Sequence, residues 1–401
     1  MSRTSKRSNN LSESITLKLN AKATAMAAEG KEVFNLTAGQ LPFKPHQQLT
    51  DLIQAQGQFL KSYHYSPVPG FPELCQKFKN HISETRNIDL DKHECIISNG
   101  GKHSLSVLFS TIIDPGDEVI LLAPYWVSYP HMISLCDGVM KTVESELYNN
   151  FTPTIADIEK QITDKTKAII LNSPSNPTGI HFEDNWMKDF AALLERHPNV
   201  LVVSDEIYFH LNYFDPSPTY YYQHNPALLE RTIIVDGISK SFASTGLRLG
   251  VTIAPKDIFD GMKKVQGHTA SGANSLVQKA LIEFDFHNLD EFLDPVKKHL
   301  RENVLTLEKI LKESDLGPCW YQPLSAFYFF LDFRKAPVFS QFDDHGGDLA
   351  PVICERLLEE YGVAMVPGGD FGSPNCARLS LVNEPAAFEE AIQRLCKFLN
   401  R

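Results

Sequence analysis

The sequence predicts an α/β fold, in which helices cover both faces of a mainly parallel sheet, with a smaller α+β domain towards the carboxyl end. Between residues 45 and 290, short apolar runs alternate with amphipathic stretches of helical length. After about residue 290, long charged helices and aromatic strands are expected instead. The 401 residues suffice for two domains. We therefore expect a large domain at 45–290 and a small domain that combines 291–401 with the N-terminal segment 1–44.

The strands of the large domain are identified by runs rich in Val, Ile and Leu that lack the alternation of a one-sided sheet. They are expected at residues 94–98, 118–123, 168–172, 201–204 and 232–236. Helices are expected between them, for example at 102–113 and 184–196. For the small domain we expect helices at 295–314, 349–361 and 385–400, and strands at 325–332, 363–366 and 378–382.

Composition and charge disfavour several classes of protein. The formal net charge of -11 argues against nucleic-acid binding, which depends on basic patches. The sequence has no run of about 18 apolar residues, so no membrane span is expected. The first ten residues are basic without an apolar stretch behind them, which argues against a secretory signal. The seven cysteines are scattered and the histidines show no metal spacing, so we expect a cytoplasmic protein with free thiols and no metal site.

Polar residues follow the predicted strands at their carboxyl ends, where parallel sheets place their ligands. The first strand runs through Gly100 and Gly101 into a helix, a turn whose backbone N–H groups suit a phosphate. It is not a Walker A loop, because His103 stands where Ser or Thr should follow Lys102. The other ends present Trp126, Asn176, Asp205 with Tyr208, and Lys240 with Arg248. Each of these residues alone could have an ordinary structural role, as part of a tight turn, a rim aromatic, a helix cap or a surface ion pair. Five strand ends of this kind in one sheet favour a shared site.

These residues belong to motifs that together resemble one family. The motifs are Tyr65-Ser-Pro-x-x-Gly70, Asn99-Gly-Gly-Lys102, Pro124-Tyr-Trp126, Asn172-x-Pro-x-Asn-Pro-Thr-Gly179, Asp205-Glu-Ile-Tyr208, Ser239-Lys240…Gly246-x-Arg248-x-Gly250 and Arg378-Leu-Ser380. In this order they resemble the fold-type I pyridoxal-phosphate enzymes, and specifically the class I and II aminotransferases of the aspartate aminotransferase superfamily. The resemblance implies a pyridoxal 5'-phosphate cofactor and transamination between an L-amino acid and a 2-oxo acid.

The resemblance also implies roles for the residues around the cofactor ring. Lys240 would bond to the cofactor aldehyde and later move the proton between substrate Cα and cofactor C4'. Asp205 would pair with the pyridine nitrogen and keep it protonated, so that the ring acts as an electron sink. Tyr208 and Asn176 would reach the phenolic oxygen, and Trp126 would stack on the ring face.

Anion binding is assigned by the same resemblance. The phosphate would be held by the backbone at Gly100, Gly101 and Lys102, together with the side chains of Ser239 and Arg248.

The substrate α-carboxylate would be bound by Arg378, with contributions from Asn176, Trp126 and the backbone at Gly39. Tyr65 resembles the family tyrosine that reaches the phosphate of a neighbouring subunit, which implies a homodimer with shared active sites.

The substrate pair is less constrained than the cofactor. Residues 39–43 depart from the family pattern, and the segment between Gly368 and Arg378 is short. We expect aspartate with 2-oxoglutarate first, while aromatic, alanine, branched-chain and kynurenine-type donors stay open. A carbon–sulfur lyase that uses the same cofactor is a second enzyme hypothesis. The acidic net charge disfavours a transcription regulator with an aminotransferase-like domain.

Overall fold

A seven-stranded sheet forms the centre of the structure, which is a computed structural model that describes residues 3–9, 11, 15–342 and 347–401. The strands are β1 (Phe34–Asn35), β2 (His93–Ser98), β3 (Glu118–Leu122), β4 (Val139–Val143), β5 (Thr166–Asn172), β6 (Leu201–Asp205), β7 (Thr232–Gly237), β8 (Gly250–Pro255), β9 (Tyr328–Asp332), β10 (Val363–Ala364), β11 (Val366–Pro367) and β12 (Cys376–Ser380).

Helices precede, separate and follow these strands along the described chain. They are α1 (Lys6–Asn9), α2 (Ile15–Ala28), α3 (Gln47–Gln56), α4 (Pro72–Arg86), α5 (Gly101–Ile112), α6 (Ser128–Leu135), α7 (Ile155–Gln161), α8 (Asp184–Arg196), α9 (Tyr221–His224), α10 (Ile238–Ser241), α11 (Lys256–Thr269), α12 (Ser275–Glu283), α13 (Asn288–Lys312), α14 (Ala350–Tyr361) and α15 (Pro385–Leu399).

Strand direction brings the predicted site residues to one edge of the central sheet. The spatial order is β2-β8-β7-β6-β5-β3-β4. Strand β8 is antiparallel to both of its neighbours, and the remaining pairs are parallel. Strands β2 to β7 therefore all point the same way, and β8 alone runs against them. The carboxyl ends of β2, β3, β5, β6 and β7 consequently meet at the same edge, where β8 begins.

Both faces of this sheet are buried, which explains why its strands lack alternation. In β5, Ile169 and Leu171 belong to one hydrophobic cluster, whereas Ala168 and Ile170 belong to the other. The first cluster includes residues of α4, α8 and α12, and the second includes residues of α5, α6 and α11. Burial on two faces allows consecutive positions of an inner strand to be apolar, as the sequence pattern indicated.

Two smaller sheets contain the remaining strands. Strand β12 lies between β11 and β9, antiparallel to both. Strand β1 pairs with β10 in parallel, with Phe34 opposite Val363. The N-terminal segment is thus hydrogen-bonded to the C-terminal region, as the predicted small domain of 1–44 with 291–401 requires. The domain boundaries themselves stay a prediction.

The fold class is confirmed, while some predicted elements differ in detail. The single strand expected at 363–366 is wrong, because β10 pairs with β1 whereas β11 pairs with β12 in another sheet. Strands β4 and β8 were not predicted. Helix α13 begins seven residues before Pro295, which lies inside it rather than at its start. As the eighth residue of the helix, this proline removes one backbone donor without ending the helix.

No helix among the described residues is long and apolar enough to cross a membrane. In the same part of the chain, no three His, Cys, Asp or Glu side chains are grouped so that they could hold a metal ion.

Candidate active site

A cavity of about 630 Å³ opens at the carboxyl edge of the central sheet. Of the residues expected from the sequence, it is lined by Gly39, Gly101, Lys102, Trp126, Asn176, Asp205, Tyr208, Ser239, Lys240, Arg248 and Arg378. These residues come from widely separated parts of the chain, from position 39 to position 378. The structure therefore brings together eleven residues that the sequence could only group by their motifs.

Asp205 ends β6 with its carboxylate buried beneath the cavity. Its Oδ2 accepts a hydrogen bond from the Tyr129 hydroxyl at 2.6 Å, and its Oδ1 accepts one from the Ile207 backbone N–H at 3.3 Å. Burial raises the pKa of Asp205 to about 6, although both hydrogen bonds oppose the rise. The carboxyl group is thus held where a cationic partner would readily ionise it.

Lys240 lies on the short helix α10 that follows β7. Its ammonium donates to the Gly39 carbonyl oxygen at 2.6 Å. Burial, together with the positive charge of Arg378, lowers the pKa of Lys240 to about 8. Asp205 acts in the opposite direction. An amine with this pKa has a substantial neutral fraction near pH 8, as a group that accepts protons requires.

The turn between β2 and α5 has the geometry of an anion site. Gly100 is the N-cap of α5 and has a φ of 91°, so no side chain caps the N–H groups of the first turn. A Cβ at Gly100 would meet the Arg248 guanidinium at 2.5 Å, and one at Gly250 would meet the Gly100 backbone at the same distance. Glycine at both positions lets Arg248 and the helix N-terminus face one space.

Arg378 provides a second place for an anion. It is buried, and it donates to the Asn176 amide oxygen and to the Thr37 carbonyl oxygen, both at 3.0 Å. Its Nε has no hydrogen-bond partner among the described residues. The guanidinium also lies over the Tyr328 ring, with Cζ 4.4 Å from the ring centroid. A buried donor held in place and left unpaired is suited to a carboxylate ligand.

Two pairs of aromatic side chains shape the cavity. The Tyr208 hydroxyl lies 3.4 Å from the Tyr328 hydroxyl. The Trp126 ring meets the Tyr129 ring edge-on, with centroids 5.4 Å apart, and the Lys102 ammonium lies 5.0 Å from a Trp126 ring centroid. Lys102 therefore presents its charge to the cavity in addition to its backbone.

Two expected residues lie outside the cavity lining. Gly100 stands behind it, against Arg248. Tyr65 is 91% exposed and does not reach the cavity of its own chain.

Among the lining residues to which the sequence analysis gave no role, Tyr129, Asn172 and Tyr328 contact expected site residues directly. Tyr129 follows Trp126 by three residues, a spacing that brings side chains to the same side of a helical turn and could have been noticed. Asn172 donates from its Nδ2 to the Asp205 carbonyl oxygen at 3.0 Å, and its Oδ1 accepts from the Asn176 N–H at 2.9 Å. Tyr328 gives no signal of its own, because it lies inside a uniformly buried aromatic strand.

Taken together, the α/β fold and the site define an enzyme class that combines a lysine of lowered pKa, a buried carboxylate and two arginine side chains in one cavity. The sequence profile of the family "Aminotransferase class I and II" matches residues 31–395. The chain therefore belongs to this family and is an aminotransferase.

Individual relatives agree with the family match along the whole chain. The chain is 34% identical over 395 residues to an aspartate aminotransferase of Geobacillus stearothermophilus, covering 98% of each chain. It is 30% identical over 405 residues to an asparagine–oxo-acid transaminase of Streptococcus mutans, covering all of both. Among solved structures, it resembles the aspartate aminotransferase of Thermus thermophilus with maleate, with a TM-score of 0.88, 30% identity and complete coverage of both chains.

The hydrogen bond from Tyr129 to Asp205 should set the pH range of activity. Its donor favours the ionised carboxylate, so Tyr129→Phe is expected to raise the pKa of Asp205 above about 6. The acidic limb of the profile of kcat/KM against pH should then move to higher pH. Tyr213→Phe is a matched control, because it removes a buried hydroxyl that donates to the Ser325 carbonyl instead. A Tyr129→Phe profile that coincides with that of the unaltered protein would contradict this assignment.

Proposed function

We propose that this aminotransferase uses pyridoxal 5'-phosphate to move the amino group of an L-amino acid to a 2-oxo acid, with aspartate as the preferred donor. One observation carries the proposal: the amine of Lys240 and the carboxylate of Asp205 face the same cavity as the uncapped N-terminus of α5. These three groups match the aldehyde, the pyridine nitrogen and the phosphate that the cofactor carries.

The residues that line the cavity fit this cofactor in charge as well as in position. When bound, pyridoxal phosphate supplies an electron sink for the electrons left at substrate Cα. Asp205 would hold the proton on the pyridine nitrogen, and Trp126 would cover the ring. Tyr208 would contact the phenolic oxygen together with Asn176. The backbone at Gly101, beside Gly100, would bind the phosphate.

The remaining phosphate contacts would come from the Lys102 backbone, Ser239 and Arg248. The Arg248 guanidinium supplies the positive charge that a phosphate dianion requires.

Lys240 would carry the proton in the chemical step. Its pKa of about 8 leaves a neutral amine available to accept the proton from substrate Cα. The contact with the Gly39 carbonyl oxygen holds Nζ within the cavity until a ligand arrives.

The substrate would be oriented by its carboxylates. Arg378 would bind the α-carboxylate, because its guanidinium is immobilised by Asn176 and Thr37 while Nε stays unpaired. The cavity lining contains four cations, Lys102, Lys240, Arg248 and Arg378, against two carboxylates, Asp205 and Asp370. Once phosphate, α-carboxylate and proton transfer are assigned, Lys102 is the cation left for a second carboxylate. The Geobacillus relative is named for aspartate and the Thermus structure for maleate, a dicarboxylate, which supports this choice.

Lys240→Ala is expected to abolish turnover and to prevent covalent attachment of the cofactor. Borohydride reduction followed by mass spectrometry measures the attachment, and the absorption spectrum before and after addition of aspartate measures the half-reaction. Lys256→Ala, which removes an exposed lysine paired with Asp260, is the control and should behave like the unaltered protein. Turnover by Lys240→Ala would disprove the proposal. Release of pyruvate and ammonia from a β-substituted amino acid by the unaltered protein, without an oxo acid, would favour the carbon–sulfur lyase.

The assignment of aspartate depends on Lys102. Lys102→Met keeps the backbone of the phosphate turn and removes only the ammonium, so KM for aspartate should rise about tenfold. KM for alanine, which has no second carboxylate, should stay within about twofold. Arg378→Lys should raise KM for both donors, because both carry the α-carboxylate. Equal effects of Lys102→Met on KM for aspartate and KM for alanine would contradict a preference for dicarboxylic donors. Faster turnover of asparagine than of aspartate would identify asparagine as the preferred donor instead.

We also propose a homodimer with shared active sites, in which Tyr65 reaches the phosphate of the neighbouring subunit. The segment that carries Tyr65 exposes three further large apolar side chains, Phe59, Leu60 and Tyr63, which is expected of a surface covered by a partner. Chains that carry Lys240→Ala should be inactive alone, and chains that carry Tyr65→Ala should be weakly active alone. Mixed after mild dissociation, they should regain activity, because one site in each hybrid dimer has both residues intact. A monomer in sedimentation analysis, or no recovery on mixing, would contradict shared sites.

The compartment we propose is the cytoplasm, because the cysteines are all free thiols. Cell fractionation with an antibody against the chain tests this.

A further inference from the structure

A fully buried arginine lies behind the active-site edge of the sheet. Arg86 ends α4, and its side chain has no exposure to solvent. Its Nε donates to Glu206 Oε2 at 3.1 Å, and one terminal nitrogen donates to Asp236 Oδ2 at 2.9 Å. The guanidinium also stacks on the Phe209 ring, with Cζ 3.6 Å from the centroid. One cation therefore joins a carboxylate that directly follows β6 to a carboxylate within β7.

The two carboxylates lie next to the residues expected to do the chemistry. Glu206 directly follows Asp205, and its backbone N–H donates to the Val235 carbonyl oxygen at 2.8 Å. Asp236 lies in β7, four residues before Lys240, and its Oδ1 accepts from the Gly237 N–H at 2.7 Å. Arg86 thus connects the segment after β6 to the carboxyl end of β7.

Further hydrogen bonds hold both Glu206 and the end of α4 in place around the Arg86 side chain. Glu206 Oε1 accepts hydrogen bonds from the Ser204 and Tyr222 hydroxyls, both at 2.8 Å, so its second oxygen is left for Arg86. The Arg86 carbonyl oxygen accepts from the Gln223 amide at 2.7 Å, which fixes the end of α4. A buried network in which these groups are paired resists rotation of any one member.

Fold stability alone is a poor explanation for this network. Removing three charges from water carries a large desolvation cost, and apolar side chains of the same volume often stabilise a fold equally well. The network lies where two strand ends must be held in register for Asp205 and Lys240 to face one ligand. Its charge also acts there, since Asp236 is among the groups that raise the pKa of Asp205.

We propose that Arg86 is a positioning residue, whose ion pairs with Glu206 and Asp236 hold Asp205 and Lys240 in the relative placement that transamination requires. This inference rests on the proposed function. Arg86 touches neither substrate nor cofactor, so its removal should change cofactor affinity and kcat but not recognition of the substrate carboxylate by Arg378.

The test compares Arg86→Lys with Arg231→Lys. Lysine keeps a positive charge at position 86 but lacks the planar fork needed to bridge two carboxylates. Arg231 is a matched control, because it is a partly buried arginine whose terminal nitrogen donates to the backbone carbonyls of His197 and Val200, away from the cavity. Measurements are the Tm of the cofactor-free protein, the dissociation constant of pyridoxal phosphate, and kcat and KM for aspartate.

The Tm of both variants is expected to be lower than that of the unaltered protein. Only Arg86→Lys should also show a lower kcat and a weaker affinity for the cofactor. Its kcat should fall about a hundredfold, the effect of a small misplacement of reacting groups, while KM for aspartate stays within about twofold. Its cofactor dissociation constant should rise by about tenfold or more. A kcat and a cofactor affinity that equal those of Arg231→Lys would show that the network serves only the fold. If the unaltered protein does not bind pyridoxal phosphate, the proposed function fails instead.

If Arg86→Lys does not fold, Asp236→Asn tests the same inference with little change in shape. The groups that face Asp205 are Tyr129 from α6, Tyr208, Tyr220, Asp236 from β7 and Lys240. Neutralising Asp236 removes a charge that raises the pKa of Asp205, so the acidic limb of cofactor binding should move to lower pH. Because Asp236→Asn also breaks one of the two ion pairs of Arg86, its kcat should fall, and a folded Asp236→Asn protein whose kcat and acidic limb both stay unchanged would overturn the proposal.

Discussion

The common direction of strands β2 to β7 is the constraint on which the rest of the site depends. Each of these strands ends at the same edge, so residues that follow strands far apart in sequence become neighbours in space. Strand β8 enters from the opposite direction and therefore begins at that edge, which places Arg248 beside the turn at Gly100. A single reversed strand thus adds the Arg248 cation to the site, which parallel strands alone would not supply.

Burial has opposite effects on the two groups at the centre of this site. It raises the pKa of Asp205 to about 6 and lowers that of Lys240 to about 8. The stability that Asp205 contributes is present below its ordinary pKa and is lost as the pH rises through about 6. The stability that Lys240 contributes is present above its ordinary pKa and is lost as the pH falls through about 8. Near pH 7 both groups are charged against the preference of the fold, and a ligand that pairs with them relieves this cost.

The sequence predicted those features of the fold and site that a local pattern of apolar and polar residues determines. The strand ends at Asp205 and Lys240 could be identified because a buried apolar run stops abruptly at a polar residue. Tyr328 and Arg86 could not, since their roles follow from packing between segments more than a hundred residues apart. The single strand expected at 363–366 divides for a similar reason. Its two halves look alike in sequence, but each finds a different pairing partner after folding.

The charged side chains around the cavity form two layers, one with an excess of positive charge and one with an excess of negative charge. Facing the ligand, four cations outnumber two carboxylates, which suits a phosphate and the carboxylates of an amino acid. Behind the sheet edge, Glu206 and Asp236 outnumber Arg86, so this layer keeps a net negative charge. Asp205 lies between the two layers. The negative layer raises its proton affinity, and the cationic ligand expected at its carboxylate would counter that rise. The placement of Arg86 therefore matters electrostatically as well as geometrically, because it holds this negative layer at a fixed distance from the Asp205 carboxylate.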